Sequence, residues 1–184
     1  MKKKFLLLFL LAVVIVITIF LGVKDFREEK INQITEYIPQ EEISEEQQRQ
    51  TLVTLYFQDA QTKDVMPEAR LIDSKQLIEN PYRTLINLLL EGPKNDKLQA
   101  IIPEGTKIKS ITKEGNTAVV NFNSEFTNGI RLGKEQEEKI VYTIVNTLTE
   151  LTEIDSVKIL VEGQEGAGFD DNAVEFKDAF YRIN

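Results

Sequence analysis

The clearest folding signal in the chain lies at residues 108–123, which read IKSITKEGNTAVVNFN. Gly115 and Asn116 stand between two runs that are rich in β-branched residues. Two residues of this kind between two such runs are typical of a tight β-hairpin, because glycine adopts the positive φ that the turn requires. The sequence therefore predicts two antiparallel strands joined at Gly115-Asn116.

The two arms of this hairpin differ in how regularly their apolar residues alternate. Ala118, Val120 and Phe122 recur with a period of two, so they share the buried face of the second strand. In the first strand, Ile108 and Ile111 fall on opposite faces of a regular strand. A β-bulge between these two residues would bring both to the core.

Two further strands and a helix are predicted before the hairpin. Residues 51–57 and 68–73 are rich in strand-forming residues and predict the two strands. Asn80-Pro81 predicts the start of the helix, because asparagine is a good N-cap and proline fits the first helical position. Gly92-Pro93 predicts its end.

A long helix and a last strand follow the hairpin. Residues 134–151 carry apolar residues at helical spacing, and residues 155–162 alternate as a strand does. We expect the apolar end of the tail, residues 179–183, to pack onto the domain. The element order β-β-α-β-β-α-β predicts an α+β fold with two helices packed on one face of a mixed sheet.

Short segments of this domain resemble a known family. In chain order they are Val53–Phe57, Pro67–Arg70, Leu88–Pro93, Ile102–Thr106, Ala118–Asn123, Thr147–Leu151 and Val157–Gly163. The ordered set resembles the GerMN domain of sporulation and spore-germination proteins. The resemblance implies a fold similar to ring-building modules, and a role in protein interaction or assembly without catalysis. Better-known members carry two tandem copies and a lipid anchor, whereas this sequence shows a single copy and an apolar N-terminal segment.

That apolar segment predicts a membrane anchor. Residues 5–23 are interrupted only by Thr18 and Gly22, and 19 helical residues span about 28 Å, close to the thickness of a hydrocarbon core. Three lysines precede the segment and no small-residue cleavage motif follows it, which favours an uncleaved anchor with a cytoplasmic N-terminus.

The expected organisation therefore has three parts. Residues 1–23 form a cytoplasmic tip and transmembrane anchor, residues 24–50 form an acidic linker, and residues 51–184 form an extracytoplasmic GerMN-like domain. The linker is polar for most of its length, so we interpret it as a solvated spacer, with a partner-binding helix as the alternative.

Composition excludes several kinds of chemistry. The chain has no cysteine and no histidine, so thiolate nucleophiles, disulfides, zinc–thiolate sites and histidine bases are absent. Its net charge of -8 disfavours nucleic acid as a partner. We predict no catalytic residue, no metal and no cofactor.

Two groups of acidic residues offer alternatives to this prediction. A carboxylate pair for glycoside hydrolysis would come from Asp59, Glu68, Asp73, Glu91 and Glu125. A calcium site would come from Glu165, Asp170, Asp171, Asn172 and Glu175, whose spacing is not that of an EF-hand. Acidic residues are mostly solvated surface groups, and we favour that interpretation for both sets.

The predicted function is protein–protein interaction or assembly in sporulation or spore germination. The expected partners are envelope or sporulation proteins, including further copies of this chain. The alternative is a monomeric envelope domain that binds a cell-wall component or a wall enzyme outside sporulation. Large apolar residues that are candidates for an interaction surface are Tyr56, Leu160, Phe169, Phe180 and Tyr181.

Overall fold

The computed structural model describes residues 17–18, 49–170 and 172–183. Ile17 and Thr18 are helical. The rest of the predicted anchor and all but the last two residues of the linker lie outside the described residues. None of the helices in the described part of the chain combines the length and the apolar character that a membrane span requires.

The folded region begins at Gln50 and alternates strands with helices. Its elements are β1 (Gln50–Asp59), β2 (Val65–Asp73), α1 (Ser74–Glu79), α2 (Pro81–Leu90), β3 (Leu98–Gln99), β4 (Ile108–Glu114), β5 (Thr117–Phe122), a 3-10 turn (Ser124–Phe126), α3 (Lys134–Leu148), β6 (Ser156–Val161) and β7 (Phe180–Tyr181). The α+β class and the predicted order are confirmed. The short elements α1 and β3, the 3-10 turn and β7 are additions to that order.

The strands lie in two sheets where the sequence predicted one. The first sheet is antiparallel, in the order β2-β1-β3, and the second is mixed, in the order β4-β5-β6-β7, with β5 and β6 parallel. The reason is visible along β1, which pairs with β3 only at its last two residues. On the same edge of β1, two residues before Gln58, the backbone N–H of Tyr56 donates to Oγ1 of Thr147 on α3 over 3.0 Å. Helix α3 covers this edge of β1, as helices do at many sheet edges. The β4–β5 hairpin therefore cannot pair with β1.

The hairpin at residues 108–122 is confirmed in detail. Gly115 has a φ of 59°, which is the left-handed conformation that a glycine tolerates. The register between β4 and β5 shifts between Ile108 and Ser110, which is the predicted irregularity. Because of this shift, Ile108 and Ile111 both pack against the core.

The helix boundaries follow the predicted caps. The side chain of Asn80 accepts a hydrogen bond from the backbone N–H of Arg83 over 3.1 Å, and Pro81 occupies the first turn of α2. Gly92 follows that helix with a φ of 86°. The long helix α3 ends at Leu148, three residues before the predicted position, with Thr149 as its C-cap.

The tail is held on the second sheet by aromatic packing. The rings of Phe169 and Phe176 pack at a tilt against Phe126, at ring-centroid distances of 5.6 and 5.8 Å. Phe180 pairs with Val157 as part of β7 and lies edge-on to Phe176. The prediction that the tail packs onto the domain is therefore confirmed for Phe180.

Candidate functional site

Strand β2 has an unusual distribution of polar and apolar side chains. Its buried residues are Glu68, Arg70 and Ile72, whereas Ala69 and Leu71 between them are exposed. An antiparallel strand with one solvated face normally turns apolar residues inward and polar residues outward. Two charged residues point inward here, and the residues that alternate with them are apolar and point outward.

The inward pair is stabilised by a closed set of hydrogen bonds. Glu68 and Arg70 form an ion pair in which both side chains are about 8% exposed or less. Oε2 of Glu68 accepts from the backbone N–H groups of Lys94 and Asn95 over 2.8 and 2.9 Å. The Arg70 guanidinium also donates to the carbonyl oxygen of Gly92 over 2.9 Å. The segment after α2 therefore supplies the partners that the buried charges require.

The carboxylate of Glu68 remains ionised in this environment. Burial alone would raise the pKa of Glu68. The backbone N–H of Asn95, the Arg70 guanidinium and the backbone N–H of Lys94 outweigh that effect and hold the pKa below its ordinary value. The ion pair is thus a fixed part of the fold around neutral pH, and it determines which side of β2 faces the solvent.

We define the outer face as the solvent side of the β1–β2 hairpin. It consists of Leu52, Thr54, Tyr56, Val65, Pro67, Ala69 and Leu71, which share one face by the alternation and register of the two strands. Leu52 and Leu71 lie directly opposite each other and are 63% and 62% exposed. None of these seven residues is charged. The charged groups beside them are Asp73, which caps α1, and Arg182 of the tail, which packs on the Tyr56 ring. The outer face is an apolar surface on a chain whose net charge is -8.

The edge of β2 is less suited to contact than this face. The N–H of Ser74 donates to the carbonyl oxygen of Arg49, so the peptide groups of Glu68, Arg70 and Ile72 point toward β1 and those of the residues between them point to the open edge. Pro67 offers no N–H at that edge. Proline and inward-pointing charges are both features that hinder the addition of another strand. Contact at this hairpin is therefore favoured through side chains of the outer face.

A groove of about 430 Å³ continues from one end of the outer face. Val65 belongs to both, and Tyr142 of α3 and Ile183 of the tail add apolar surface to the groove. Ile183 is 54% exposed. The rest of the lining is polar and consists of Asp64, Glu135, Glu138, Lys139 and Asn146. Three carboxylates against one ammonium group give the groove an acidic rim.

Tyr56, a predicted interaction residue, joins the outer face to the tail. Its hydroxyl group donates to Oε1 of Glu150 over 2.8 Å and accepts from Arg182. The Arg182 guanidinium also lies 5.3 Å from the centre of the Tyr56 ring. Burial and the hydrogen bond to Glu150 raise the pKa of Tyr56. Tyr56 is thus half-buried and serves as the attachment point for the end of the tail.

The other four predicted interaction residues do not form one surface. Phe169 is 1% exposed and belongs to the core, so its assignment to an interaction surface is wrong; it is the tail residue that packs against Phe126. Phe180 is half-buried. Leu160 and Tyr181 lie on the solvent side of the second sheet, where Leu160 is half-buried and Tyr181 is 65% exposed.

Of the outer face, sequence reasoning named only Tyr56 and missed the rest, including its most exposed residues, Leu52 and Leu71. The alternation of apolar and charged residues from 67 to 71 is visible in the sequence. Its orientation is not, because ordinary patterning would place Glu68 and Arg70 in solvent. Only the hydrogen-bond partners after α2 explain why they point inward.

The acidic groups considered for catalysis have separate structural roles. Asp59 accepts hydrogen bonds from the backbone of Gln61 and Thr62, Asp73 caps α1, and Glu68 is in the buried ion pair. Glu91 and Glu125 are exposed. None of the five is paired with another of the set by any hydrogen bond of the described residues.

The proposed calcium ligands are likewise engaged elsewhere. Glu165 pairs with Lys158 over 2.9 Å, Glu175 pairs with Lys177, and Asp170 accepts from the N–H of Gly129 over 3.0 Å. Asp171 lies outside the described residues. Among the residues that the structure describes, no group of three or more acidic side chains is arranged to hold a metal ion.

Solved structures from two bacteria have the same fold. Tandem GerMN domains of the sporulation protein GerM from Bacillus subtilis match with a TM-score of 0.62 and 20% identity, covering 74% of this chain and 47% of that chain. The first GerMN domain of the same protein gives 0.60 and 24%, covering 72% of this chain and 98% of that chain. A putative lipoprotein from Clostridium perfringens gives 0.50 and 24%, covering 72% and 87%. These likenesses confirm the fold.

Sequence comparison identifies the family. The spore germination protein GerM of Bacillus subtilis (strain 168) is 30% identical over 122 residues, which cover 58% of this chain. This chain spans about a third of the length of that relative, 32%. A family model described as "Germane: Sporulation and spore germination" matches residues 54–167, more than half of the chain. The chain therefore belongs to the Germane family of sporulation and spore-germination domains, the GerMN domains that its sequence resembles.

Proposed function

We propose that this chain is a membrane-anchored cell-envelope protein whose GerMN domain binds another protein during sporulation or spore germination, without catalysis. Family membership supports the biological setting. The 19-residue apolar segment at residues 5–23 and the lysines before it support an anchor with the domain outside the cytoplasm.

The observation that carries the interaction role is the outer face. Leu52 and Leu71 are each more than half exposed and stand side by side, although the fold buries charged residues directly behind them. Two large aliphatic side chains exposed side by side form a contiguous apolar patch, which makes this surface the candidate contact site for another molecule. Of the acidic residues considered for catalysis or calcium binding, six are engaged in caps, turns and ion pairs: Asp59, Glu68, Asp73, Glu165, Asp170 and Glu175. Protein contact is therefore the function that the surface supports best.

The test is site-specific photo-crosslinking in the native host. A photoreactive phenylalanine analogue would replace Leu71 in the full-length protein, and in a matched strain it would replace Thr112. Thr112 is also exposed on a strand, but on the solvent side of the second sheet. We expect sporulating cells to yield a protein adduct at position 71 that is absent at position 112.

Two outcomes would count against the proposal. Absence of a protein adduct from both positions, in both vegetative and sporulating cells, would remove the interaction role. An adduct of position 71 with cell-wall material instead of protein would support the alternative of a wall-binding domain.

A further inference from the structure

From the shape of the outer face and the charge of the groove that adjoins it, we infer that the outer face binds an amphipathic helix of a partner protein, with aliphatic side chains on the docking side and basic residues beside them. This inference rests on the proposed interaction role and specifies the surface and the chemistry of the partner. It follows from three properties of the site: its length, its area and its charge.

The length of the outer face matches a short helix. Val65 and Leu71 are six residues apart on β2, and at about 3.3 Å per residue they are roughly 20 Å apart. A helix of about 13 residues has the same length. Side chains at i, i+3, i+4 and i+7 of such a helix form a stripe that can contact the cross-strand pair Leu52 and Leu71 at one end and Ala69 farther along β2.

The outer face alone is smaller than each side of a typical stable dimer interface, and it has about the width of a single helix. Two strands about 5 Å apart and roughly 20 Å long present on the order of 200 Å² of side-chain surface. Stable protein–protein interfaces need roughly 800 Å² on each partner. A helix that lies along the strands and continues into the groove is accommodated by this surface, because the groove adds Tyr142 and Ile183 to the apolar contact.

Charge favours a basic partner and disfavours a second copy. The groove carries Asp64, Glu135 and Glu138 against Lys139, which pairs with Glu135 over 2.8 Å. Lys134 lies 3.7 Å from Glu138, but that pair is largely exposed and screens the carboxylate weakly. A symmetric contact would bring two acidic rims together, whereas lysine or arginine side chains flanking an apolar stripe would complement the rim.

The test uses the full-length protein in phosphatidylcholine nanodiscs and three synthetic peptides of about 18 residues. The first has leucine at helical spacing and lysine elsewhere, the second has glutamate in place of every lysine, and the third has the composition of the first with its spacing scrambled. The photoreactive analogue replaces Leu71, Ile183 or, as the control, Thr112. Leu71 and Ile183 are more than half exposed, so the fold tolerates the replacements, and melting temperatures would verify this.

We expect the basic helical peptide to crosslink at positions 71 and 183 at least tenfold more than at position 112. The glutamate and scrambled peptides should stay at the level of the control. The substitution Glu138→Lys should lower crosslinking of the basic peptide several-fold, whereas Glu114→Lys, the same charge change on the exposed end of β4, should leave it unchanged.

Several results would overturn the inference. They are equal labelling by the basic and glutamate peptides, equal labelling at position 112, no labelling at position 71, and self-crosslinked dimers through position 71. A host adduct at position 71 whose crosslinked segment is not a basic amphipathic helix would also overturn it, while leaving the proposed interaction role intact. Absence of any host protein adduct would overturn both.

Discussion

At the scale of single residues, the orientation of β2 depends on Glu68 and Arg70. Burial of a charged pair has a large desolvation cost, which is offset only when the polar atoms of both side chains form hydrogen bonds. The carbonyl oxygens of Leu88 and Gly92 and the N–H groups of Lys94 and Asn95 supply those partners. The same pair keeps Ala69 and Leu71 in solvent, so the buried charges create the apolar outer face.

Removal of one partner of this pair should be strongly destabilising. We expect Arg70→Ala to lower the free energy of unfolding by about 3–5 kcal/mol, because it leaves the Glu68 carboxylate buried without its counter-ion. The matched control is Arg131→Ala, whose side chain is 72% exposed and which should change stability by about 0.5 kcal/mol or less. Urea titration followed by tyrosine fluorescence measures both. A loss below about 1 kcal/mol for the Arg70 variant would show that the pair does not hold the strand.

The free energy of unfolding should depend on pH through the titration of Glu68. Its folded-state pKa lies below the unfolded value of about 4.5, so the stabilisation is present above pH 4.5 and is lost as the pH falls through the folded-state pKa. We expect the stability difference between the native protein and the Glu68→Gln variant to be constant from pH 6 to pH 5 and to shrink below pH 4.5. Urea titrations at stepped pH measure this difference. A difference that stays constant down to pH 3 would contradict the assignment.

At the scale of elements, the sequence predicted those whose signal is local. The Asn80 cap, the glycine after α2 and the Gly115 turn each depend on one or two residues with strong conformational preferences. The strands β3 and β7 were missed because two residues are too few to show a period. The helix α1 was missed because its six residues carry no apolar stripe, and its cap, Asp73, lies at the end of a predicted strand.

The tail is an element whose attachment depends on a few contacts. Arg182 bonds to Glu150 over 2.6 Å and to the Tyr56 hydroxyl, and β7 is only two residues long. We expect Arg182→Ala to lower global stability by less than about 1 kcal/mol, since the ion pair is partly exposed. Hydrogen exchange at Phe180 and Tyr181 should nevertheless accelerate at least tenfold, because the short strand then opens locally.

The control for this prediction is Lys177→Ala, which removes an exposed ion pair with Glu175 in the same tail. That variant should leave the exchange of Phe180 and Tyr181 unchanged. If the two variants accelerate exchange equally, the tail is held by general packing and the Arg182 contacts are dispensable.

At the scale of the whole molecule, the division into two sheets was beyond sequence reasoning. Sheet membership depends on pairings between distant residues, such as the parallel pairing of β5 with β6 and the contact of Tyr56 with Thr147. No local pattern encodes which strand edges meet. The outer face could not be predicted from the sequence for a related reason. The orientation of β2 is set by groups that follow α2, more than twenty residues later.

The orientation of the chain in the membrane is also a property of the whole molecule. It can be measured directly by labelling introduced cysteines, because the chain has no native cysteine. A chain without native thiols gives no background when single cysteines are introduced. We expect a membrane-impermeant maleimide to label the Thr112→Cys variant in intact protoplasts, because Thr112 is exposed on the domain that we place outside the cytoplasm. The Lys3→Cys variant should be labelled only after the membrane is permeabilised, since three lysines at the N-terminus favour the cytoplasmic side.

The pair of variants also tests whether the anchor stays attached. If the segment at residues 5–23 were removed as a signal peptide, the mature chain would lose position 3, and the Lys3→Cys variant would stay unlabelled even in permeabilised cells. Labelling of both variants in intact protoplasts would place both ends outside, which a single span cannot do. Labelling of neither before permeabilisation would place the domain in the cytoplasm, where the outer face could not meet an envelope partner. Only the pattern of position 112 before permeabilisation and position 3 after it agrees with an anchored domain that presents Leu52 and Leu71 to the cell envelope.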